Sequence, residues 1–213
     1  MKDIALVVFD WDGTLMDSVG RIVSSMQATA RALAMHEPSE EAVRNIIGLS
    51  LRPALDQLFP NLDEKGREQL LAVYRDQYVD LDPTPTPLFP GVEAMLDELR
   101  ASGKTLAVAT GKARAGLERV FAQTGLEVHF ITSRTADDAQ SKPHPDMLEQ
   151  ILSQTGISPS RALMIGDSVL DITMAKAAGM WAAGVTFGVH GAEKLRAAGA
   201  DLLIDDWRDW SLA

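Results

Sequence analysis

The chain has 213 residues, enough for one or two domains, with 46% hydrophobic and 23% charged residues, an ordinary globular balance that excludes disorder throughout. Twenty Lys and Arg against thirty Asp and Glu leave a formal charge of −10, which excludes a nucleic-acid binder that relies on a basic face. There are no cysteines, so a disulfide framework, a Cys-based zinc site and a Cys nucleophile are all excluded.

Ile4 to Phe9 is short, continuous and rich in β-branched residues, the pattern of a strand buried on both faces of a parallel sheet. It is too short to cross a bilayer, it ends in Asp10, and no small-residue cleavage site follows. The expected location is therefore the cytoplasm, with no membrane contact. From Asp17 to Asp82 no strand pattern occurs. Helical spacing marks Val19 to Met35, Ala42 to Ile47, Ala54 to Phe59 and Glu68 to Val79. Alternating prolines from Pro83 to Pro87 read as a semi-rigid linker.

Beyond the linker, strands are expected at Thr105–Ala109, Phe130–Thr132, Ala162–Ile165, Trp181–Val185 and Leu202–Ile204. Helices are expected between them, over Val92–Arg100, Ala115–Thr124, Met147–Gln154 and Ile172–Ala178. The alternation predicts an α/β fold with a doubly wound parallel sheet. Residues 1–16 and 86–213 would form the core, with residues 17–85 a helical cap and linker. Trp207 and Trp210 are expected to pack the C-terminal segment onto the core, the alternative being a dimer patch; monomer and homodimer both remain open.

Ligands of such sheets bind beyond the carboxyl ends of the strands. Asp10-Trp11-Asp12-Gly13-Thr14 follows the first strand, and Thr110-Gly111-Lys112 follows the second. Gly166-Asp167-Ser168 with Asp171 follows the fourth, and Ser141-Lys142-Pro143 precedes a helix. Carboxylates, a hydroxyl, a lysine and glycines therefore converge on one edge. Crowded carboxylates repel unless a cation joins them, and a hard divalent ion such as magnesium prefers oxygen ligands. Asp10 and Asp167 are the expected side-chain ligands. The metal, Lys142 and the Thr110 hydroxyl would surround a phosphate, and a carboxylate can attack phosphorus.

These residues resemble the haloacid dehalogenase superfamily of phosphatases across essentially the whole chain. The motifs are Asp10-x-Asp12-Gly13-Thr14, Thr110, Lys142-Pro143 and Gly166-Asp167-x-x-x-Asp171. The resemblance implies a Rossmann-like core with a small helical cap and a Mg2+ cofactor. It makes Asp10 the nucleophile and Asp12 the general acid and base, with its main-chain carbonyl on the metal. Asp167 would bind the metal and Asp171 would support it. Thr110, Gly111 and Lys142 would bind the phosphoryl group, Gly111 by letting the main chain approach it.

Asp12 favours phosphate-ester chemistry over dehalogenation. Ile22, where phosphosugar mutases of the superfamily carry a hinge histidine, argues against a mutase. Asp17-Ser18 and Ile46-Ile47-Gly48-Leu49-Ser50 are similar to the phosphoglycolate-phosphatase-like group. Arg52, after the Gly48 loop, is a candidate for contact with a substrate carboxylate or second phosphate; the competing reading is a solvated cap-surface arginine. His190, after the fifth strand, is a candidate edge residue of the site. The expected partner is a small phosphorylated metabolite, with 2-phosphoglycolate the family-based choice. A mutase or inorganic pyrophosphatase on the same site, and a non-catalytic regulatory protein that kept the fold, are the alternatives.

Overall fold

A computed structural model describes residues 3–212. Six strands form one sheet in the order β3-β2-β1-β4-β5-β6, every pair parallel. They are β1 (Leu6–Phe9), β2 (Thr105–Ala109), β3 (Thr132–Arg134), β4 (Ala162–Gly166), β5 (Trp181–Val185) and β6 (Leu202–Ile204). The order of connection reverses beside β1, where β2 lies on one side and β4 on the other, so the crevice for ligands opens at the ends of these three strands.

Alternation along β1 sends its side chains into two cores. Val7 and Phe9 join Leu96 of α5 (Val92–Ala101), Leu117 and Phe121 of α6 (Arg114–Thr124), and Trp207. Leu6 and Val8 join Met147 and Ile151 of α7 (Asp146–Thr155), Ile172 and Ala175 of α8 (Val169–Ala177), and Leu195 of α9 (Ala192–Ala197). Trp207 is buried and its Nε1 donates to the Thr14 carbonyl at 3.1 Å, while Trp210 packs edge-on against it. The C-terminal segment is thus held on the core, as its sequence suggested.

Four helices enter between β1 and α5: α1 (Val19–Ala32), α2 (Glu40–Arg44), α3 (Leu51–Leu58) and α4 (Glu64–Asp76), followed by a π-helical turn at Gln77–Leu81. They bury a third core built on Ile22, Met26, Val43, Leu55 and Leu70. The two chain segments that join this helical domain to the sheet run side by side. Asp17 N donates to the Pro87 carbonyl at 2.8 Å, and Phe89 N donates to the Leu15 carbonyl at 3.0 Å. The proline-rich linker is clasped by α1, with Ser25 Oγ donating to Asp82 at 3.0 Å and Arg21 Nε to the Thr84 carbonyl at 2.5 Å.

Several element boundaries shift from expectation, α1 for instance ending at Ala32 and α4 spanning Glu64–Asp76, and two of the shifts have a visible local cause. Strand β3 begins at Thr132 because Phe130, expected to open it, turns into an aromatic cluster with Phe9, Trp11 and Phe121. The second helix ends at Arg44 rather than Ile47, its start fixed by the Ser39 hydroxyl, which accepts from Ala42 N. Among the described residues no helix is long and apolar enough to cross a membrane.

Candidate active site

Asp10 lies one residue beyond β1 and is buried, its N–H donating to the Ile165 carbonyl of β4. Asp167 lies one residue beyond β4 and is also buried. Asp171 sits in the first turn of α8, where Ser168 and Asp171 form a reciprocal capping box. One oxygen from each of these three carboxylates falls within 4.8 Å of the others. Among the described residues they are the one such acidic group able to share an ion.

The loop before α7 sends Lys142 into this group. Its Nζ is 2.7 Å from Asp10 Oδ1 and 2.7 Å from Asp171 Oδ1, with none of the side chain exposed. The Lys142–Pro143 peptide is cis. Asp171 Oδ2 accepts from Ser168 Oγ at 2.6 Å and Ser168 N at 3.1 Å, so both Asp171 oxygens are occupied. Asp167 Oδ2 accepts from Val189 N at 2.8 Å. That leaves Asp10 Oδ2 and Asp167 Oδ1 buried and without a hydrogen-bond partner.

The electrostatics follow from this crowding. Burial pushes the Asp10 carboxyl up; Lys142 pulls it down and Asp171 and Asp12 push it further up, leaving it at about 7 against an ordinary 3.8. Burial also lifts Asp167 well above the carboxylate range, and the charges on Asp10 and Asp171 add to it. Burial alone would lower the Lys142 ammonium, but Asp10 and Asp171 overcome it and hold the proton more tightly than usual. Three buried carboxylates share one ammonium, so the cluster is short of positive charge. Two unpartnered, inward-facing carboxylate oxygens in such a cluster fit a hard divalent cation.

Close packing fixes Asp167. Gly13 has φ +76°, and a Cβ there would stand 2.0 Å from Asp167 Oδ2; a Cβ at Gly188 would stand 2.3 Å from Asp167 Cβ. A side chain at either position would evict the carboxylate. Thr110 is buried one residue beyond β2 and its Oγ1 accepts from Lys112 N at 3.3 Å.

Asp12 does not turn its carboxylate toward the acidic group. Oδ1 accepts from Ser18 Oγ at 2.5 Å and lies 2.9 Å from Lys112 Nζ. The sequence reading gave no role to Lys112 or Ser18, although both lie in stretches it singled out. Their pairing with Asp12 joins separate loops and has no local signature.

Gly111 also has a structural role beyond its expected one. Its missing side chain leaves room for the cap: a Cβ would stand 2.6 Å from the Leu49 carbonyl oxygen and 2.7 Å from that of Gly48. The same cap loop donates Ser50 N to Ser141 Oγ at 2.8 Å, and Gly48 packs on Ser168 and Leu170. The loop from Gly48 to Ser50 thus bridges three of the core loops that carry the site. Arg44 of α2 adds a contact, donating to the Gly188 carbonyl at 3.0 Å.

Arg52 is not brought to this group. It is the second residue of α3, its side chain is 60% exposed, and it pairs with Glu64 at the start of α4. The solvated alternative describes it, because the cap loop reaches the core through its main chain and leaves the next helical turn facing outward. His190 edges the site through its backbone, with N donating to the Asp167 carbonyl at 3.1 Å. Its Nδ1 accepts from Val169 N at 3.1 Å. Burial, then Lys194, lowers its affinity for a proton.

A family model of haloacid dehalogenase-like hydrolases matches residues 7–185. A protein of Dickeya dadantii named probable phosphatase IndB is 39% identical over 96% of this chain and 90% of its own length. A phosphoglycolate phosphatase of Vibrio parahaemolyticus is 32% identical over 96% of this chain and 93% of its own. The crystal structure of a protein from Haemophilus somnus, described as a predicted phosphoglycolate phosphatase, aligns with a TM-score of 0.86 at 26% identity, covering 98% of this chain and 97% of that one. Sheet order, inserted helices, buried carboxylates and whole-length similarity agree, and the chain belongs to the haloacid dehalogenase-like hydrolases as a phosphatase of the phosphoglycolate-phosphatase-like group.

Proposed function

We propose that the chain is a magnesium-dependent phosphatase that hydrolyses a small phosphorylated metabolite through an aspartyl-phosphate on Asp10. The observation that carries this reading is the pair of buried, unpartnered oxygens on Asp10 and Asp167 beside the fully buried Lys142 ammonium. Asp10 and Asp167 would hold the cation together with the main-chain carbonyl of Asp12, and Asp171 would support them by orienting Lys142. The bound cation would supply positive charge to the phosphoryl oxygens.

The chain's own groups do the rest. Thr110, the Gly111 main chain and Lys142 bind the phosphoryl oxygens, and Lys142 keeps a cation beside Asp10 as charge moves. The Asp10 carboxylate forms a bond to phosphorus while the ester P–O bond breaks, and Asp12 gives its proton to the departing oxygen. A water then attacks phosphorus and passes its proton to Asp12. The bond between Asp10 and phosphorus breaks, which restores both residues and releases phosphate. The helical insert, placed at residues 17–85 between core segments 1–16 and 86–213, closes through the Gly48–Ser50 loop and excludes bulk water. A closing cap suits small soluble esters better than phosphorylated protein chains.

The relatives' names make 2-phosphoglycolate the first substrate to try. Ile22 supports a phosphatase over a mutase, since it is an apolar, buried member of the cap core and no proton carrier stands there. The test is phosphate release from a panel of 2-phosphoglycolate, hexose phosphates, pyrophosphate and an aryl phosphate, with magnesium and with chelator. Release from a monoester that stops on chelation and returns with magnesium is expected. Release from none of them would sink the reading in favour of a non-catalytic protein.

A further inference from the structure

We propose that Lys112 is a positioning residue that fixes the carboxylate of Asp12 and ties it, through Tyr78, to the closed cap. The inference rests on the reading of Asp12 as the group that exchanges protons with the leaving oxygen and with water.

A lysine three residues past a strand is ordinarily solvated. Lys112 is not: its side chain is 8% exposed and its ammonium lies 2.9 Å from Asp12 Oδ1. The same oxygen accepts from Ser18 Oγ at 2.5 Å. Two donors on Oδ1, with no protein donor on Oδ2 among the described residues, leave Oδ2 as the oxygen that can carry the proton.

The other side of Lys112 faces the cap. Its ammonium stands 5.3 Å from the centroid of the Tyr78 ring. Tyr78 belongs to the π-helical turn Gln77–Leu81, which leads from the cap into the linker, and such turns often mark functional positions. Its ring stacks on Tyr74 of α4 and lies near Arg21 of α1 and Arg119 of α6. The ring therefore sits on the seam between cap and core, and three cations from both sides converge on it. Ser18, the second tether of Asp12, stands at the start of α1 on the other connecting segment. Both connections between cap and core thus bear on one carboxylate. Closure that brings Ser18 and Tyr78 into place also sets the Asp12 rotamer.

The experiment compares kcat/KM of the full chain with magnesium on two esters. A nitrophenyl phosphate departs without a proton, whereas an alkyl phosphate needs one. Lys112→Met is expected to lose about 100-fold on the alkyl ester and less than about 10-fold on the nitrophenyl ester, with KM moved by less than about 3-fold. Lys112→Gln, a milder change that guards against misfolding, is expected to show the same ordering. Tyr78→Leu is expected to show the ordering at smaller size, and the double variant Lys112→Met with Tyr78→Leu should be no worse than Lys112→Met alone. Equal losses on the two esters, a loss confined to KM, or no loss would overturn the positioning role. Strictly multiplicative losses in the double variant, or an unaffected Tyr78→Leu, would overturn the tie to the cap. An inactive wild-type protein would remove the underlying phosphatase reading as well, an outcome readily told apart from an active wild type with unaffected variants.

Discussion

Asp171 holds Lys142 from behind: its Oδ1 lies 2.7 Å from the ammonium, and its Oδ2 is locked by Ser168 in the cap of α8. The lysine is thereby aimed at Asp10, which it meets at the same 2.7 Å distance. Asp171→Asn keeps the shape but removes the charge that holds this aim. Activity is expected to fall about 10- to 100-fold, the usual cost of losing an outer partner of a charged site. Steady-state kinetics with saturating magnesium measures it, and unchanged kcat/KM would count against the supporting role. Lys142→Ala goes further, since it strands two buried carboxylates, and is expected to lower stability by about 3–5 kcal/mol, read by denaturant unfolding.

The raised proton affinity of Asp10 makes a signed prediction about pH. Its carboxyl moves from 3.8 when unfolded to about 7 when folded, and Asp167 moves in the same direction. A raised folded value contributes stability that is fully present below pH 3.8 and is lost as pH rises through about 7. Metal-free protein should therefore lose stability across that window. A divalent cation competes with those protons, so the rise in melting temperature on adding magnesium should be larger at pH 8 than at pH 5. Melting curves at the two values, with magnesium or with chelator, decide it. A magnesium effect that is absent, or larger at the lower pH, would contradict the metal assignment.

Gly111 ties cap to core by having no side chain. Gly111→Ala would set a methyl 2.6 Å from the Leu49 carbonyl oxygen, too close for either backbone to stay in place. The cap loop is expected to be pushed off the core while the core itself stays folded. The predicted signature is faster proteolysis within residues 40–60 and a lower kcat/KM. The melting temperature of the sheet domain should change little. An unchanged digestion pattern would show that the cap tolerates the methyl and that closure does not depend on this contact.

Much of this was legible in the sequence, and the reasons are physical. Buried parallel strands are continuous apolar runs, so β2, β5 and β6 begin and end where expected. Asp10 and Asp167 stand at strand ends, Asp171 at a helix start and Lys142 in the loop before α7, and the parallel fold delivers all of these to one edge. Contacts between separately positioned loops were not legible. No periodicity reports that Lys112 turns to Asp12 and Tyr78, or that Gly111 yields its space to Leu49. Arg52 shows the same limit in reverse: it follows a loop that touches the core, yet the helix turns it toward Glu64. Strand β3 was displaced because Phe130 gains more from three aromatic neighbours than from a place in an edge strand.

The central claim is that the carboxylate of Asp10 attacks phosphorus. Its most direct test is phosphate release by Asp10→Asn beside wild type, with magnesium, on whichever panel ester the wild type cleaves. The amide is nearly isosteric but a far weaker nucleophile, so turnover should fall by about a thousandfold or more while the melting curve shows a folded protein. Activity within about tenfold of wild type in that folded variant would contradict the covalent mechanism.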